Sequence, residues 1–295
     1  MISCECCGGR SSPYRRIREY TYRRCASCGY LFLDGDPSRE QLDLYGDAYF
    51  EGGGAGYEDY TSEETLLRES GSWYAQRLQR FMPATCLLDV GCAAGYLMAG
   101  FAQHEWTCAG VEPNARMASI ARAQGFHVHE GALESIASLE RFDLISMIQV
   151  VAHFYDLHSA FRAASDAAAP NGSWLVETWN ARSLTARFLG AQWHEFSPPS
   201  VLRIFTPAAL DALAARYGFF PVAGGRPRKR ILAEHAKSLL AAKARDGRLM
   251  RALAAAARVI PDKTRIPYPG EDLFWRLYRR RTQAASASDF PGRHE

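Results

Sequence analysis

The chain has 295 residues, is 47% hydrophobic and carries 35 basic against 32 acidic side chains, a net charge of +3. That length holds one α/β core of ordinary size plus a small appendage, and the near-balanced charge argues against a dedicated nucleic-acid binder, which concentrates basic residues on one face. No apolar run of about 18 residues occurs and Met-Ile-Ser-Cys-Glu does not resemble a signal peptide, so no membrane partner and a cytoplasmic location are expected.

In that compartment eight cysteines point to metal or free thiols, not disulfides. Residues 1–35 hold two Cys-x-x-Cys-Gly units, Cys4-Glu-Cys-Cys7-Gly8 and Cys25-Ala-Ser-Cys28-Gly29, separated by 17 residues. Each is a tight knuckle whose thiolates can meet one tetrahedral ion while backbone N–H groups stabilise the sulfur charge. The separation is that of a zinc ribbon, with Cys4, Cys7, Cys25 and Cys28 as expected ligands. Cys6 competes with Cys7, but Cys7 has the spacing and the following glycine. Tyr20, Tyr22, Tyr30 and Phe32 alternate as in short flanking strands. The expected role of the Zn2+ is structural, a staple for a segment too small to hold a core.

Residues 36–82 read as a hinge or lid followed by helix. Pro37-Ser38-Arg39-Glu40-Gln41-Leu42 is a helix start with Ser38 placed to cap. Tyr45, Tyr49, Phe50, Tyr57 and Tyr60 then surround the glycine-rich stretch 52–56. Such a pattern suits a lid over a ligand or, equally, a linker whose aromatics pack on the body. Thr61 to Phe81 is predicted helical, with Leu66, Leu67, Trp73, Leu78 and Phe81 as its apolar positions and Pro83 beyond its end.

The main domain is expected over 83–281. The apolar run Cys86–Val90 meets Gly91, passes Cys92, Ala93 and Ala94, and reaches Gly95 before an amphipathic start at Tyr96. That is a buried strand, a tight turn and a helix start, where a ligand can lie against bare backbone and free amide N–H groups. Helix 96–104, strand 108–112, helix 114–124, strand 126–129, strand 142–148, helix 157–169 and strand 173–179 are predicted to follow. This alternation predicts a parallel sheet with helices on both faces and ligands beyond the carboxyl ends of its strands. Gly91–Gly95, Glu112-Pro113, Glu130–Glu134, Gln149–His153 and Thr178–Asn180 all fall on that rim. Glu112, 17 residues past Gly95 at a strand tip, suits the two hydroxyls of a ribose.

Asp89-x-Gly91-x-Ala93-x-Gly95 with Glu112 resembles the first two motifs of class I S-adenosylmethionine-dependent methyltransferases, clearly over 61–225 and more loosely over 270–280. Ala93 stands where the family's middle glycine would be. The resemblance implies an α/β fold with a Rossmann-like seven-stranded sheet, here with a small N-terminal zinc ribbon and helical insertions, and S-adenosylmethionine as cofactor. It places the cofactor against Asp89, Gly91, Cys92, Ala93 and Gly95, the ribose on Glu112, and adenine beside Pro113, Met117, Ala132 and Leu133. Ala132 lacks the polar partner often found there, and Gln149 would lie near the methionine part. Val150-Val151-Ala152-His153 resembles the family's Leu-Glu-His strand exit, with Ala152 in place of the glutamate. His153 is then a candidate base, or a capping or packing residue.

The segment 190–206 reads as a long insertion where relatives build the acceptor pocket. Trp193, His194 and Glu195 form its titratable cluster, and His194 is the second candidate base or an exposed loop histidine. Relatives with Pro-x-His-Leu-x-x-Phe-Ser have a histidine where Val201 stands. Thr206-Pro207 opens a helix to Tyr217, and Phe219–Ala223 is the sixth strand. The basic, alanine-rich segment 228–262 is predicted to be a helical insertion and a solvated face. A final strand over 272–278 resembles the antiparallel seventh strand, and the tail 282–295 has the composition of disorder.

The ribbon, hinge and body together resemble bacterial enzymes acting on sugars and secondary metabolites, which implies a small-molecule methyl acceptor; O-methylation is expected ahead of N- or C-methylation on general frequency alone. An RNA methyltransferase is the first rival, because a ribosomal guanine-methylating family also has a four-cysteine module. Gln149-Val-Val-Ala152 in place of Asn/Asp-Pro-Pro-Tyr, and the weak charge, argue against it. A cofactor-binding partner subunit without turnover is the second. The oligomeric state is not legible.

Overall fold

The computed structural model describes residues 2–35, 44, 46–50, 60–136, 138–233, 237, 255–257, 259–261, 264–268 and 270–281. The Ser38 cap, the glycine-rich stretch 52–56, Tyr45 and Tyr57, residues 238–254 and the tail from Gln283 lie outside them. β1 (Ser11–Ile17), β2 (Tyr20–Cys25) and β3 (Leu31–Leu33) form an antiparallel ribbon. α1 (Asp47–Phe50) precedes α2 (Glu64–Leu78). The predicted alternation follows, as β4 (Cys86–Val90), α3 (Tyr96–Ala102), β5 (Thr107–Glu112), α4 (Ala115–Ala123), β6 (His127–Glu130), β7 (Phe142–Ile148), α5 (Leu157–Ala167) and β8 (Ala168–Trp179). The chain continues through α6 (Leu184–Leu189), β9 (Arg203–Ile204), α7 (Pro207–Ala215), β10 (Phe219–Gly225), β11 (Lys229–Leu232), β12 (Arg265–Tyr268) and β13 (Leu273–Arg280).

Seven strands make one sheet in the order β10-β13-β8-β7-β4-β5-β6. The five from β6 to β8 are parallel, and β13 lies antiparallel between β8 and β10. Leu87, Leu88, Leu144, Ile145, Leu175 and Val176 are buried on both faces of the sheet. Helices cover both faces, so these strands are continuous apolar runs without alternation. From β4 the chain steps to β5 and β6 on one side, then to β7 and β8 on the other. The connections leaving β4 and β7 therefore diverge, which opens a crevice beyond their carboxyl ends.

Helix starts obey local chemistry. The Asn114 side chain accepts from the Met117 amide at 2.9 Å, Asp156 from Ser159 at 3.0 Å and Thr206 from Ala209 at 3.1 Å, the last with Pro207 in the first turn. Two segments differ from expectation. The insertion after β8 is not only a loop, because β9 pairs with β3 (Leu31 with Ile204, Phe32 with Arg203) and completes a four-stranded sheet β1-β2-β3-β9. The segment predicted as a helical insertion over 228–262 opens as strand β11, which pairs with β12 and sets Ile231 against Ile266. β-branched residues on both arms favour that hairpin over a helix. β8 also begins earlier than predicted, at Ala168, because the residue before Pro170 is driven into extended backbone.

α2 and α3 cross at two glycines. A Cβ on Gly71 would fall 2.1 Å from the Leu97 carbonyl oxygen, and one on Gly100 would fall 2.2 Å from that of Arg68. Both obstacles are backbone, so the helices must separate to admit a methyl group. Gly71→Ala and Gly100→Ala are each expected to lower stability by about 1–3 kcal/mol, read as a drop in the urea midpoint at unchanged m-value.

Candidate active site and metal centre

Four thiols meet in the ribbon. The Sγ atoms of Cys4, Cys7, Cys25 and Cys28 all lie within 4.8 Å of one another, Cys4 to Cys28 at 3.7 Å and Cys7 to Cys25 at 3.5 Å. A tetrahedral centre with Zn–S bonds of about 2.3 Å separates its sulfurs by roughly 3.8 Å, so the donor set and its spacing fit one zinc ion. The Gly8 and Gly29 amides turn back onto the Cys4 and Cys25 carbonyls at 2.9 and 3.1 Å, closing the two knuckles. Cys6 stands outside the group, fully buried, and burial pushes its thiol well up. Another group of ligating type, His127, His129 and Glu140, lies at the far edge of the main sheet, away from the crevice.

The crevice has about 1080 Å³ of empty space, open solvent at its mouth included. Its walls include Asp89, Gly91, Cys92, Ala93, Glu112, Pro113, Ala132, Leu133, Gln149 and His153, and Tyr49, Phe50 and Tyr60 border it from the N-terminal side. Gly91 and Gly95 take φ values of +70° and +82°, which glycine alone adopts without strain. Ala93 adopts +45° and Gln149 +60°, and such strained backbone in a non-glycine residue gathers at functional sites. The turn from Gly91 to Gly95 is locked from below: the Gly91 and Cys92 amides donate to the Val111 carbonyl at 2.8 and 3.1 Å.

Glu112 is 3% exposed yet faces the crevice. One carboxylate oxygen accepts from the Ala93 amide and the other from the Asn114 amide, both at 2.8 Å. Each oxygen keeps a second lone pair, so the carboxylate can take two adjacent hydroxyls. Burial pushes its carboxyl up to about 7 against the pull of those amides. Asp89, buried at the end of β4, accepts from the Ser146 hydroxyl at 2.6 Å; burial first and the Glu112 charge second push it up to about 7. Glu134 on the opposite wall holds the Tyr155 amide at 3.0 Å, and burial raises it also to about 7.

Gln149 donates through its side chain to the Glu177 carboxylate at 2.6 Å and through its backbone N–H to the Glu177 carbonyl at 2.9 Å, and the Tyr74 hydroxyl donates to that carboxylate. His153 donates from Nδ1 to the Ser200 carbonyl at 2.8 Å, because a carbonyl can only accept. That tautomer makes Nε2 the basic nitrogen, and burial holds the ring below its ordinary pKa, so it is neutral near pH 7.

The remaining expectations fall elsewhere. Gly95 caps α3, and Met117 is buried against Phe50, Tyr60, Ala93, Ala94 and Tyr96; neither is on the crevice wall. His194 is not on the wall either; its Nε2 pairs with Glu195 at 2.8 Å and its ring meets the Trp179 edge. Glu195 still acts near the crevice, since burial and then its charge push the Tyr49 hydroxyl up to about 12. Glu177 escaped the sequence reading, although a lone carboxylate inside Trp174-Leu-Val-Glu177-Thr-Trp179 marks it. Nothing local marks Ser200, whose backbone carbonyl does the work.

The raised carboxyls have a consequence for stability. Asp89 and Glu112 sit at about 7 in the fold against 3.8 and 4.5 for the free groups, so the unfolded chain releases these protons first. Their contribution is therefore most favourable below about pH 4, declines as pH rises to about 7 and stays low above it. Asp89→Asn removes its share while keeping the Ser146 hydrogen bond. Relative to wild type, the variant is expected to gain on the order of 1–3 kcal/mol between pH 5 and pH 8, measured by urea titration at the two values.

Residues 63–223 match the family described as "Methyltransferase domain". The ubiquinone biosynthesis O-methyltransferase of Azorhizobium caulinodans is 28% identical over 169 residues, 53% of this chain and 66% of that one. That of Methylobacterium sp. is 31% identical over 119 residues, 36% and 47% of the two chains. The chain thus spans about half to two thirds of these relatives' length. The 1,6-didemethyltoxoflavin-N1-methyltransferase of Burkholderia thailandensis, solved with bound 1,6-didemethyltoxoflavin and S-adenosylhomocysteine, shares the fold at a TM-score of 0.52 and 14% identity, over 91% of this chain and 99% of that one. With the family match covering more than half of its residues, this chain belongs to the methyltransferase-domain family.

Proposed function

We propose that the protein transfers a methyl group from S-adenosylmethionine to a small-molecule acceptor, with a hydroxyl on a sugar or secondary-metabolite intermediate as the favoured target. The observation that carries this reading is the Glu112 carboxylate, anchored on the Ala93 and Asn114 amides and open to a crevice floored by Gly91. A Cβ at Gly91 would reach to 3.0 Å from the Val150 side chain, so the floor has room for a ligand only while it stays bare. In this reading Glu112 holds the ribose hydroxyls, Pro113, Ala132 and Leu133 border adenine, and Gln149, aimed by Glu177, meets the methionine end. Asp89 and Cys92 shape the turn beneath.

S-adenosylmethionine, when bound, supplies an electrophilic sulfonium methyl group. What remains for the protein is to align the acceptor and take its proton. His153 is suited to that, neutral near pH 7 with its basic nitrogen set by the Ser200 contact. His194, paired with Glu195 in the insertion, is assigned to the acceptor side. The likeness to two O-methyltransferases supports a hydroxyl acceptor. One zinc ion on Cys4, Cys7, Cys25 and Cys28 would hold the ribbon together.

Calorimetry tests the cofactor. Wild type is expected to bind S-adenosylhomocysteine at micromolar Kd, with Glu112→Ala at least tenfold weaker; no binding to folded, zinc-replete wild type would sink the reading. With an acceptor found by a radiolabelled methyl screen of nucleotide sugars and phenols, His153→Gln should cost about 100-fold or more in kcat while cofactor Kd stays within twofold.

A further inference from the structure

The cysteine ribbon is joined to the crevice wall by several contacts, among them one buried ion pair. Glu5 lies inside the first knuckle, between Cys4 and Cys7. Its carboxylate takes Arg203 at two points, Nε to Oε2 at 3.2 Å and Nη2 to Oε1 at 3.1 Å, and also accepts from the Tyr30 hydroxyl at 2.9 Å. Arg203 is 2% exposed, and its remaining nitrogen, Nη1, donates to the Phe154 carbonyl. Around it the backbone makes three further contacts with the same short stretch. The Leu202 and Arg203 amides donate to the Ala152 carbonyl at 3.0 and 3.2 Å, and the Ser200 carbonyl takes the His153 Nδ1 proton at 2.8 Å.

Residues 152–154 are thus held one by one from the segment 200–203. That segment is in turn fastened to the ribbon by the Glu5 ion pair, by the pairing of Phe32 with Arg203, and by the Thr206 hydroxyl on the Cys28 carbonyl at 2.7 Å. His153 and Phe154 both line the crevice. The nucleotide-side elements, β4, β5 and the turn after β4, are fastened to one another.

We infer that Glu5 and Arg203 are positioning residues through which the metal knuckle sets the tautomer and placement of His153. A guanidinium left in the interior without its carboxylate is strongly unfavourable, so losing Glu5 drives Arg203 toward water and carries Ser200 with it. Releasing the metal frees Cys4 and Cys7, and with them the backbone that aims Glu5. In either case Nδ1 loses its acceptor and the ring reverts to the Nε2-protonated form that a histidine side chain prefers in water. The base is then mis-set while the nucleotide side stays intact. The inference rests on the proposed function only for the catalytic meaning of His153; the linkage itself is independent of it.

The experiment is nitrogen-15 NMR of the histidine rings in full-length, zinc-replete protein, with His153→Gln to assign the signal. Glu5→Gln, Arg203→Lys and chelator-treated wild type are compared, and S-adenosylhomocysteine calorimetry on each sample reports an intact nucleotide side. Wild type is expected in the Nδ1-protonated tautomer. Glu5→Gln and metal-stripped protein should shift to a majority of the Nε2-protonated form, with Arg203→Lys between, while Kd for S-adenosylhomocysteine changes less than threefold. His153 remaining Nδ1-protonated in Glu5→Gln and in stripped protein would overturn the inference. So would loss of S-adenosylhomocysteine binding in both samples, since the ribbon would then hold the whole fold and not this segment. Failure of the methyltransferase reading appears separately, as a wild type that binds no S-adenosylhomocysteine.

Discussion

A carboxylate removed from water must find donors, and the way Glu112 finds them organises the crevice. Its two oxygens take the amides of Ala93 and Asn114, groups that a turn and a helix start would otherwise leave without partners. One side chain therefore fixes the loop after β4 against the loop after β5. The left-handed backbone at Ala93 is the local cost, held by that hydrogen bond and by burial. Few arrangements satisfy all of these demands at once, which gives the floor of the crevice its rigidity.

The opposite wall obeys the same rule with different donors. Glu177, buried in β8, is satisfied by Gln149 and Tyr74, and Gln149 itself has left-handed backbone at the exit of β7. Glu134 is satisfied by the Tyr155 amide. The carboxyls on the crevice wall, Asp89, Glu112 and Glu134, each hold a neighbouring element in place and are pushed toward neutrality by burial. Perturbed titration of this kind concentrates where chemistry is done.

Much of this architecture is legible in the sequence, for identifiable reasons. The β4 turn is readable because glycine at 91 and 95 serves a backbone demand, and the knuckles because cysteine spacing is set by a fixed metal geometry. The parallel pairing follows from the strand–helix alternation, because parallel strands need a crossover. What escapes is non-local. Arg203-Ile204 is too short to announce itself as a strand, and nothing near it says that its partner is β3. The Ser200 contact with His153 is made by a carbonyl every residue possesses. In 228–262 the alanine-rich middle outweighs Ile231, which faces Ile266 where β11 pairs with β12. Sequence pattern reports demands on side chains, and these contacts are demands on placement.

The ribbon's debt to β9 has a temporal side. The Tyr22 hydroxyl and the Val201 carbonyl it bonds are 179 positions apart, and Glu5 and Arg203 are 198 apart. Contacts of such separation form slowly, because a long loop must close before they contribute. Synthesis runs from the N-terminus, so the cysteine knuckles leave the ribosome long before the strand that borders their sheet. Until then β3 presents an open edge, Leu31-Phe32-Leu33, the kind of edge that recruits foreign strands. A metal ion taken up early would hold the nascent ribbon in register through that interval, so a segment made well before β9 is among the last to be completed.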